Sequence, residues 1–221
     1  MTRAEKLYDV LMRLPVIAFD LIFFARELDN LRHVVALHPY FGNDWSFSIM
    51  VASRVALLIF LVTCIAFHVA RYRPIGKHAT WYPKVIALLG MLFTLLILLT
   101  PRAPSDIFWD GLSTALILIG TIASNLVVFD LGRSFSVMPE ARKLVTSGLY
   151  ARIRHPLYLA HEITVLGIFL QFRSWQGLLI LAIHLYFQIR RMDFEEGILS
   201  KTFPTYSEYV QRTNRLVPRL Y

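Results

Sequence analysis

Two short stretches of this 221-residue chain gather side chains able to bind, orient or protonate a reacting group. The first runs Gly148-Leu149-Tyr150-Ala151-Arg152-Ile153-Arg154-His155-Pro156-Leu157-Tyr158. Pro156 suits a first helical turn, where its missing N–H leaves no bond unmade. His155, Tyr158 and Glu162 then follow at spacings of three and four and share one helical face, while Leu157, Leu159, Ala160 and Ile163 make the other face apolar. Glu162 would lie about one and a half turns into an apolar helix, where an ionisable group is costly unless it meets a partner or an aqueous cavity. A pocket is the simpler reading. The free N–H groups at the helix start, beside Arg152 and Arg154, favour an anionic ligand group such as a carboxylate. The same arginines serve equally as contacts for lipid phosphates, with His155 capping the helix.

The second stretch is Arg190-Arg191-Met192-Asp193-Phe194-Glu195-Glu196. Arg191 and Glu195, four apart, are expected to pair on one face, with Glu196 turned roughly 100° away. A helix-end salt bridge with no further role is the competing reading. His161 and Glu162 begin a zinc-protease helix pattern, but Val165 stands where its second histidine belongs, so no metal is expected. The single cysteine, Cys64, lies in an apolar run, which leaves neither a disulfide nor a cysteine metal site within the chain. It is expected to be a small core side chain. There is no phosphate-cradling glycine loop and no dinucleotide fingerprint.

The elements that must position these residues are hydrophobic. Apolar runs of about 20 residues mark membrane spans, and 47–70, 82–100 and 107–129 qualify. Runs 157–172 and 177–189 are shorter and separated only by Arg173, Ser174, Trp175 and Gln176, which predicts a tight helical hairpin. The run 14–25 is interrupted by Asp20; it crosses, lies in the interface or packs on the bundle. No small-x-small cleavage site follows it, so it is expected to stay in the mature chain. The expected fold is all-α: a polytopic membrane helix bundle of five clear transmembrane helices and a possible sixth at the N-terminus. Residues 1–130 would supply N-terminal transmembrane helices and 131–221 a catalytic hairpin with a cytosolic C-terminal segment, in one integrated membrane domain. No linker composition or internal repeat divides it.

Composition agrees. A hydrophobic share of 56% is high for a soluble domain. A net charge of +8 would suit nucleic acid, but the basic residues sit beside apolar segments with no patch of interleaved aromatics, so nucleic acid is not expected. Topology explains the charge better. With the N-terminus inside, segments 1–13, 71–78, 130–156 and 190–221 hold seventeen of the 23 basic residues, which puts them on the cytoplasmic side. Arg54 falls inside a span; the favoured reading is that it snorkels to the outer surface, and the alternative is that it meets the first apolar segment.

Several of these residues also form a family pattern. Gly148-Leu149-Tyr150, Arg154-His155-Pro156-Leu157-Tyr158, Arg191-Met192-Asp193-Phe194-Glu195-Glu196, then Phe203, Tyr206, Tyr209 and Val217-Pro218 resemble the isoprenylcysteine carboxyl methyltransferase group of membrane methyltransferases. The likeness covers 131 to the end; the N-terminal spans share only hydrophobicity. It implies an S-adenosylmethionine pocket, with Arg154, His155 and Tyr158 holding the cofactor, Leu144, Val145, Gly148, Leu149 and Tyr150 lining its cover, and Glu162 a carboxylate suited to the sulfonium. Arg191, Glu195 and Glu196 would be the catalytic set, Arg191 orienting the acceptor and a glutamate holding Arg191. The implied activity is methylation of a membrane-dissolved or prenylated acceptor amid membrane lipids, first of all the carboxylate of an isoprenylated cysteine. Phospholipid N-methylation, thiol S-methylation and, from another class, nicotinamide-dependent lipid reduction are the alternatives. The pattern departs at Ala160-His161, where relatives often carry glycine, and at Phe203-Pro204, which replaces Phe-Gly.

Overall fold

The computed structural model describes residues 3–40, 44–77, 80–104 and 106–217; Pro218 and Arg219 lie outside them. Its elements are helices α1 (Arg3–Ala36), α2 (Asp44–Ala70), α3 (Tyr82–Leu96), α4 (Ile107–Leu131), α5 (Pro156–Phe172), α6 (Trp175–Thr202) and α7 (Tyr206–Arg212), with two-residue strands β1 (Gly76–Lys77) and β2 (Glu140–Ala141) pairing antiparallel. The expected all-α membrane bundle is what forms. Three helical stretches, Phe47–Ala70, Tyr82–Leu99 and Ile107–Ser134, are long and apolar enough to cross a bilayer, and Pro156–Phe172 is a shorter apolar helix.

Local chemistry sets the helix ends. Asp106 caps α4 by accepting from the Phe108 and Trp109 N–H groups, both at 3.0 Å, and Ser174 caps α6 by accepting from Gly177 N–H at 3.0 Å. Pro83 and Pro156 open α3 and α5. Arg173, at φ 40°, reverses the chain between α5 and α6.

The hairpin differs from expectation in length and packing. No breaker interrupts the charged stretch after 189, so α6 continues as one 28-residue helix through Arg190–Glu196 to Thr202. Having turned at Arg173, the two helices separate, α5 lying chiefly against α4 and α6 chiefly against α3. The α4–α5 contact is a small-residue interface: a Cβ on Gly120 would lie 2.4–2.8 Å from Thr164 and Ala160, and one on Gly167 2.8–2.9 Å from Ile117 and the Ser113 carbonyl. The Ser113 hydroxyl donates to the Gly167 carbonyl at 2.8 Å.

The interrupted first run is part of a 34-residue helix, about 51 Å long. It packs antiparallel on α2 through two polar contacts: Asp20 with His68, buried, at 3.2 Å and Glu27 with Arg54, partly buried, at 3.0 Å. Arg54 therefore meets the first helix rather than snorkelling, because Glu27, 8% exposed, needs a cation.

The basic connections share one side of the bundle. Arg13 donates to the Val69 carbonyl at 2.7 Å, Tyr72 N–H to the Arg133 carbonyl at 2.7 Å, and β1 joins β2. On the other side Ala103 N–H reaches the Gln171 carbonyl at 3.2 Å and Arg173 the Pro104 carbonyl at 2.9 Å. Trp45, Trp109 and Trp175 stand at the helix starts on that second side, where indoles mark a membrane interface.

Candidate functional site

The first site segment is anchored to the end of α4. Gly148 adopts φ 60°, and a Cβ there would lie 2.3–2.7 Å from the Asp130 carboxylate, so glycine is required on both counts. That approach lets Asp130 accept from Leu149 N–H at 2.9 Å. The following turn buries Tyr150, whose carbonyl accepts from the Tyr209 hydroxyl on α7 at 2.8 Å. Burial pushes the Tyr209 phenol up to about 12, with Arg154 partly offsetting it, which keeps this donor neutral.

The C-terminal segment then docks on the start of α5. Arg154 and His155 N–H groups donate to the Asn214 and Arg215 carbonyls at 2.8 and 3.1 Å. Arg154 Nη1 reaches the Thr213 carbonyl at 2.6 Å and the Val210 carbonyl at 3.2 Å. Glu196 closes the cluster: its Oε1 accepts from His155 Nε2 at 2.9 Å and Arg154 Nε at 3.1 Å and lies 3.3 Å from Arg215 Nε as an ion pair. Burial alone would raise the Glu196 pKa, but the bond from His155 and the neighbouring cations outweigh it and hold the carboxyl at about 2.

Helix α6 presents His184, Gln188, Arg191 and Glu195 at spacings of four, three and four, a polar stripe on one face. Glu195 accepts a short hydrogen bond from the Tyr158 hydroxyl. With Glu195 so engaged, Arg191 turns the other way: Nη1 donates to Gln188 Oε1 at 2.9 Å, Nη2 to the Val137 carbonyl at 3.2 Å, and the guanidinium lies 5.2 Å from the centre of the Tyr158 ring. The expected Arg191–Glu195 pair does not form. Among the described residues no carboxylate pairs with Arg191, and its Nε is buried without a partner.

A cavity of about 1690 Å³ joins these groups to the apolar interior. Of the site residues expected from sequence, Leu144, Val145, Tyr150, Arg154, His155, Tyr158, Arg191 and Glu195 line it. Gly148, Leu149, Glu162 and Glu196 stand outside its wall. Gly148 and Leu149 tie this segment to Asp130, Glu196 ties the start of α5 to α6, and Glu162 accepts from His184 at 3.0 Å and Gln188 at 3.1 Å behind the wall. Sequence reasoning missed Gln188, His184 and Val137. The first two were accessible as members of the α6 polar stripe inside an apolar run. Val137 acts through its carbonyl, which no side-chain pattern signals.

Part of the chain is similar to known proteins. Residues 110–206 match the model of the phospholipid methyltransferase family. The chain is 29% identical over 133 residues to the nickel-cobalt-cadmium resistance protein NccN of Alcaligenes xylosoxydans xylosoxydans, covering 57% of this chain and 60% of that protein. It is 33% identical over 121 residues to the cobalt-zinc-cadmium resistance protein CzcN of Cupriavidus metallidurans, covering 51% and 54%. It thus spans little more than half the length of these two relatives. A probable protein-S-isoprenylcysteine O-methyltransferase of Oryza sativa subsp. indica is 25% identical over 187 residues, covering 76% of this chain and 98% of that protein. The resemblance read in the C-terminal motifs holds: the segment from residue 110 to residue 206, which carries most of the site, is similar to the phospholipid methyltransferase family, in a chain whose apolar helices are those of an integral membrane protein.

Proposed function

We propose that this protein is an S-adenosylmethionine-dependent methyltransferase whose acceptor is a membrane-dissolved carboxylate, with the carboxylate of an isoprenylated cysteine as the first candidate and the site facing the cytoplasm. The observation that carries the reading is Arg191, a cation that among the described residues is held by neutral groups, on the wall of a cavity that continues into apolar surface.

The residues present fit the cofactor. Tyr150 and Tyr158 offer aromatic faces and Glu195 a carboxylate, both suited to a sulfonium. The Tyr206 hydroxyl on the same wall is buried and has no partner among the described residues, a donor left for a ligand. Arg154, His155 and Tyr158 would hold the group, with Leu144, Val145 and Tyr150 as its cover. When bound, it supplies a methyl group that leaves sulfur for a carboxylate oxygen, turning a sulfonium and a carboxylate into a neutral thioether and an ester without a proton transfer.

The chain's own residues do the rest. Arg191 binds and orients the acceptor carboxylate, which is ionised at neutral pH and needs no general base. Leu57, Phe60, Leu61 and Leu157 line the apolar part of the cavity, where a lipid chain would lie and keep water from the reacting pair. A volume of about 1690 Å³ exceeds the roughly 300–1,000 Å³ of a single-ligand pocket and leaves room for two occupants.

A phospholipid amine is the second reading, favoured by the description of the matching family. Arg191 weighs against it. At an effective dielectric of about 20, an unpaired guanidinium about 5 Å away penalises an ammonium by roughly 3 kcal/mol and favours a carboxylate by as much.

Thermal unfolding in detergent with S-adenosylhomocysteine tests the proposal. A ligand at 100 times its Kd stabilises by about 2.7 kcal/mol, so a clear rise in Tm is expected, and none with NADPH. Tyr158→Ala should weaken that rise; Arg191→Ala should keep it and lose turnover. A rise with NADPH alone would move the protein to the reductase class.

A further inference from the structure

Behind Arg191 lies a buried polar chain that the family motifs do not include. Glu162 on α5 accepts from His184 Nε2 at 3.0 Å and from Gln188 Nε2 at 3.1 Å. Gln188 Oε1 in turn accepts from Arg191 Nη1 at 2.9 Å. His184 is 0% exposed and Gln188, along the cavity wall, 3%, so both are largely shielded from bulk water. A primary amide has one donor end and one acceptor end. Wedged between a carboxylate and a guanidinium, it satisfies both in a single orientation, donor to Glu162 and acceptor to Arg191. Gln188 thereby acts as a neutral spacer: it transmits the fixed position of Glu162 to the guanidinium without cancelling the guanidinium's charge.

Helix α3, which lies outside the matched family segment, completes the support. His184 Nδ1 sits 3.0 Å from the Gly90 carbonyl oxygen and 3.1 Å from the Thr94 hydroxyl. Gly90 also supplies space, since a Cβ there would come within 3.2 Å of Arg191 Cδ and 3.3 Å of Gln188 Oε1. The three helices therefore meet at one polar node directly behind the cation that lines the cavity.

We infer that Gln188 is a positioning residue for acceptor binding, its amide orientation fixed by Glu162, with His184 anchored on α3 as the buttress of Glu162. The inference rests on the reading of Arg191 as the acceptor-binding cation. It assigns Glu162 to Arg191 geometry rather than to contact with the cofactor, and it makes α3 part of the active site's framework.

The test uses the full chain in detergent, with Gln188→Leu, Gln188→Glu and Glu162→Gln measured for S-adenosylhomocysteine affinity, kcat and KM on a farnesylated cysteine analogue. Gln188→Leu, close in size, leaves the guanidinium free to swing; misplacement on the scale of 1 Å costs about 10²-fold in rate. A loss of that order in kcat/KM for the acceptor, with S-adenosylhomocysteine affinity unchanged, is expected. Gln188→Glu gives the distinguishing signature. As a protonated acid its side chain mimics the amide, donating to Glu162 and accepting from Arg191; ionised, it repels Glu162 and neutralises Arg191. The groups facing it are Glu162 and Arg191, with His184 and His161 adjoining Glu162. Its acceptor turnover should therefore rise as pH falls, relative to wild type, an effect that loss of packing alone does not produce. Wild-type protein that neither binds S-adenosylhomocysteine nor methylates the analogue would sink the methyltransferase reading itself. Wild-type turnover together with parental kcat, KM and pH profile in Gln188→Leu and Gln188→Glu would overturn the positioning role alone, as would loss of cofactor affinity in Glu162→Gln with acceptor KM unchanged.

Discussion

Replacing Glu196 by Gln removes the charge on which Arg154, Arg215 and His155 converge, and its effect should depend on pH in a calculable way. The Glu196 pKa falls from 4.5 to about 2 on folding. A carboxyl depressed in the folded state contributes stability that is complete above its unfolded pKa and fades as pH falls toward the folded value. A shift of this size corresponds to roughly 3 kcal/mol at pH 7, an order-of-magnitude figure for a side chain 23% exposed. With the two pKa values cited, roughly 1 kcal/mol of that is gone by pH 3.5. Other carboxyls titrate in the same window, so the informative quantity is the difference between wild type and Glu196→Gln, measured by thermal or denaturant unfolding in detergent at pH 7 and at pH 3.5. The difference should be largest at pH 7 and shrink toward acid. The same variant should loosen the docking of 213–215 on the start of α5, seen as faster hydrogen exchange at the Arg154 and His155 amides. A difference that stays constant across the range, or grows toward acid, would refute the reading of Glu196 as the ionised clamp of this cluster.

Three further outcomes follow from the packing and the site. Gly167→Ala places a Cβ 2.8–2.9 Å from Ile117 and the Ser113 carbonyl, a backbone clash that should cost about 1–3 kcal/mol in unfolding measurements, while Gly111→Ala, with nothing within 4 Å, should be harmless. Arg54→Leu leaves buried Glu27 without its cation and should lower Tm more than Glu27→Gln, which frees a more exposed guanidinium. Tyr158→Phe loses the donor to Glu195 but keeps the ring beneath Arg191, so calorimetry should show a smaller loss of S-adenosylhomocysteine affinity than with Tyr158→Ala.

How much of this was legible beforehand varies with the range of the interaction. The three apolar spans were evident because bilayer thickness fixes a length of chain that composition alone reveals. The grouping of basic connections on one side was equally plain, since charge asymmetry needs no knowledge of packing. The full length of α6 was missed although the signal was local: between Ile189 and Pro204 nothing forbids a helix. Arg54 with Glu27, and Asp20 with His68, depend on the antiparallel alignment of α1 with α2 and leave no periodic trace in either helix. The Arg191 geometry was the hardest to foresee. Spacing of three and four offers Arg191 both Gln188 and Glu195; in the structure Glu195 is paired with Tyr158, a residue on another helix, and Arg191 with Gln188. Long-range contacts of this kind leave no signal in the spacing of one helix.

The most direct test is the chemical nature of the transferred methyl. Purified protein incubated with methyl-labelled S-adenosylmethionine and a farnesylated cysteine bearing a free carboxylate should give a product whose label is released by alkali as volatile methanol, and Arg191→Ala should give none. Label retained through alkali, as in an N-methyl amine or a thioether, or equal labelling of an acceptor whose carboxylate has been amidated, would contradict the account.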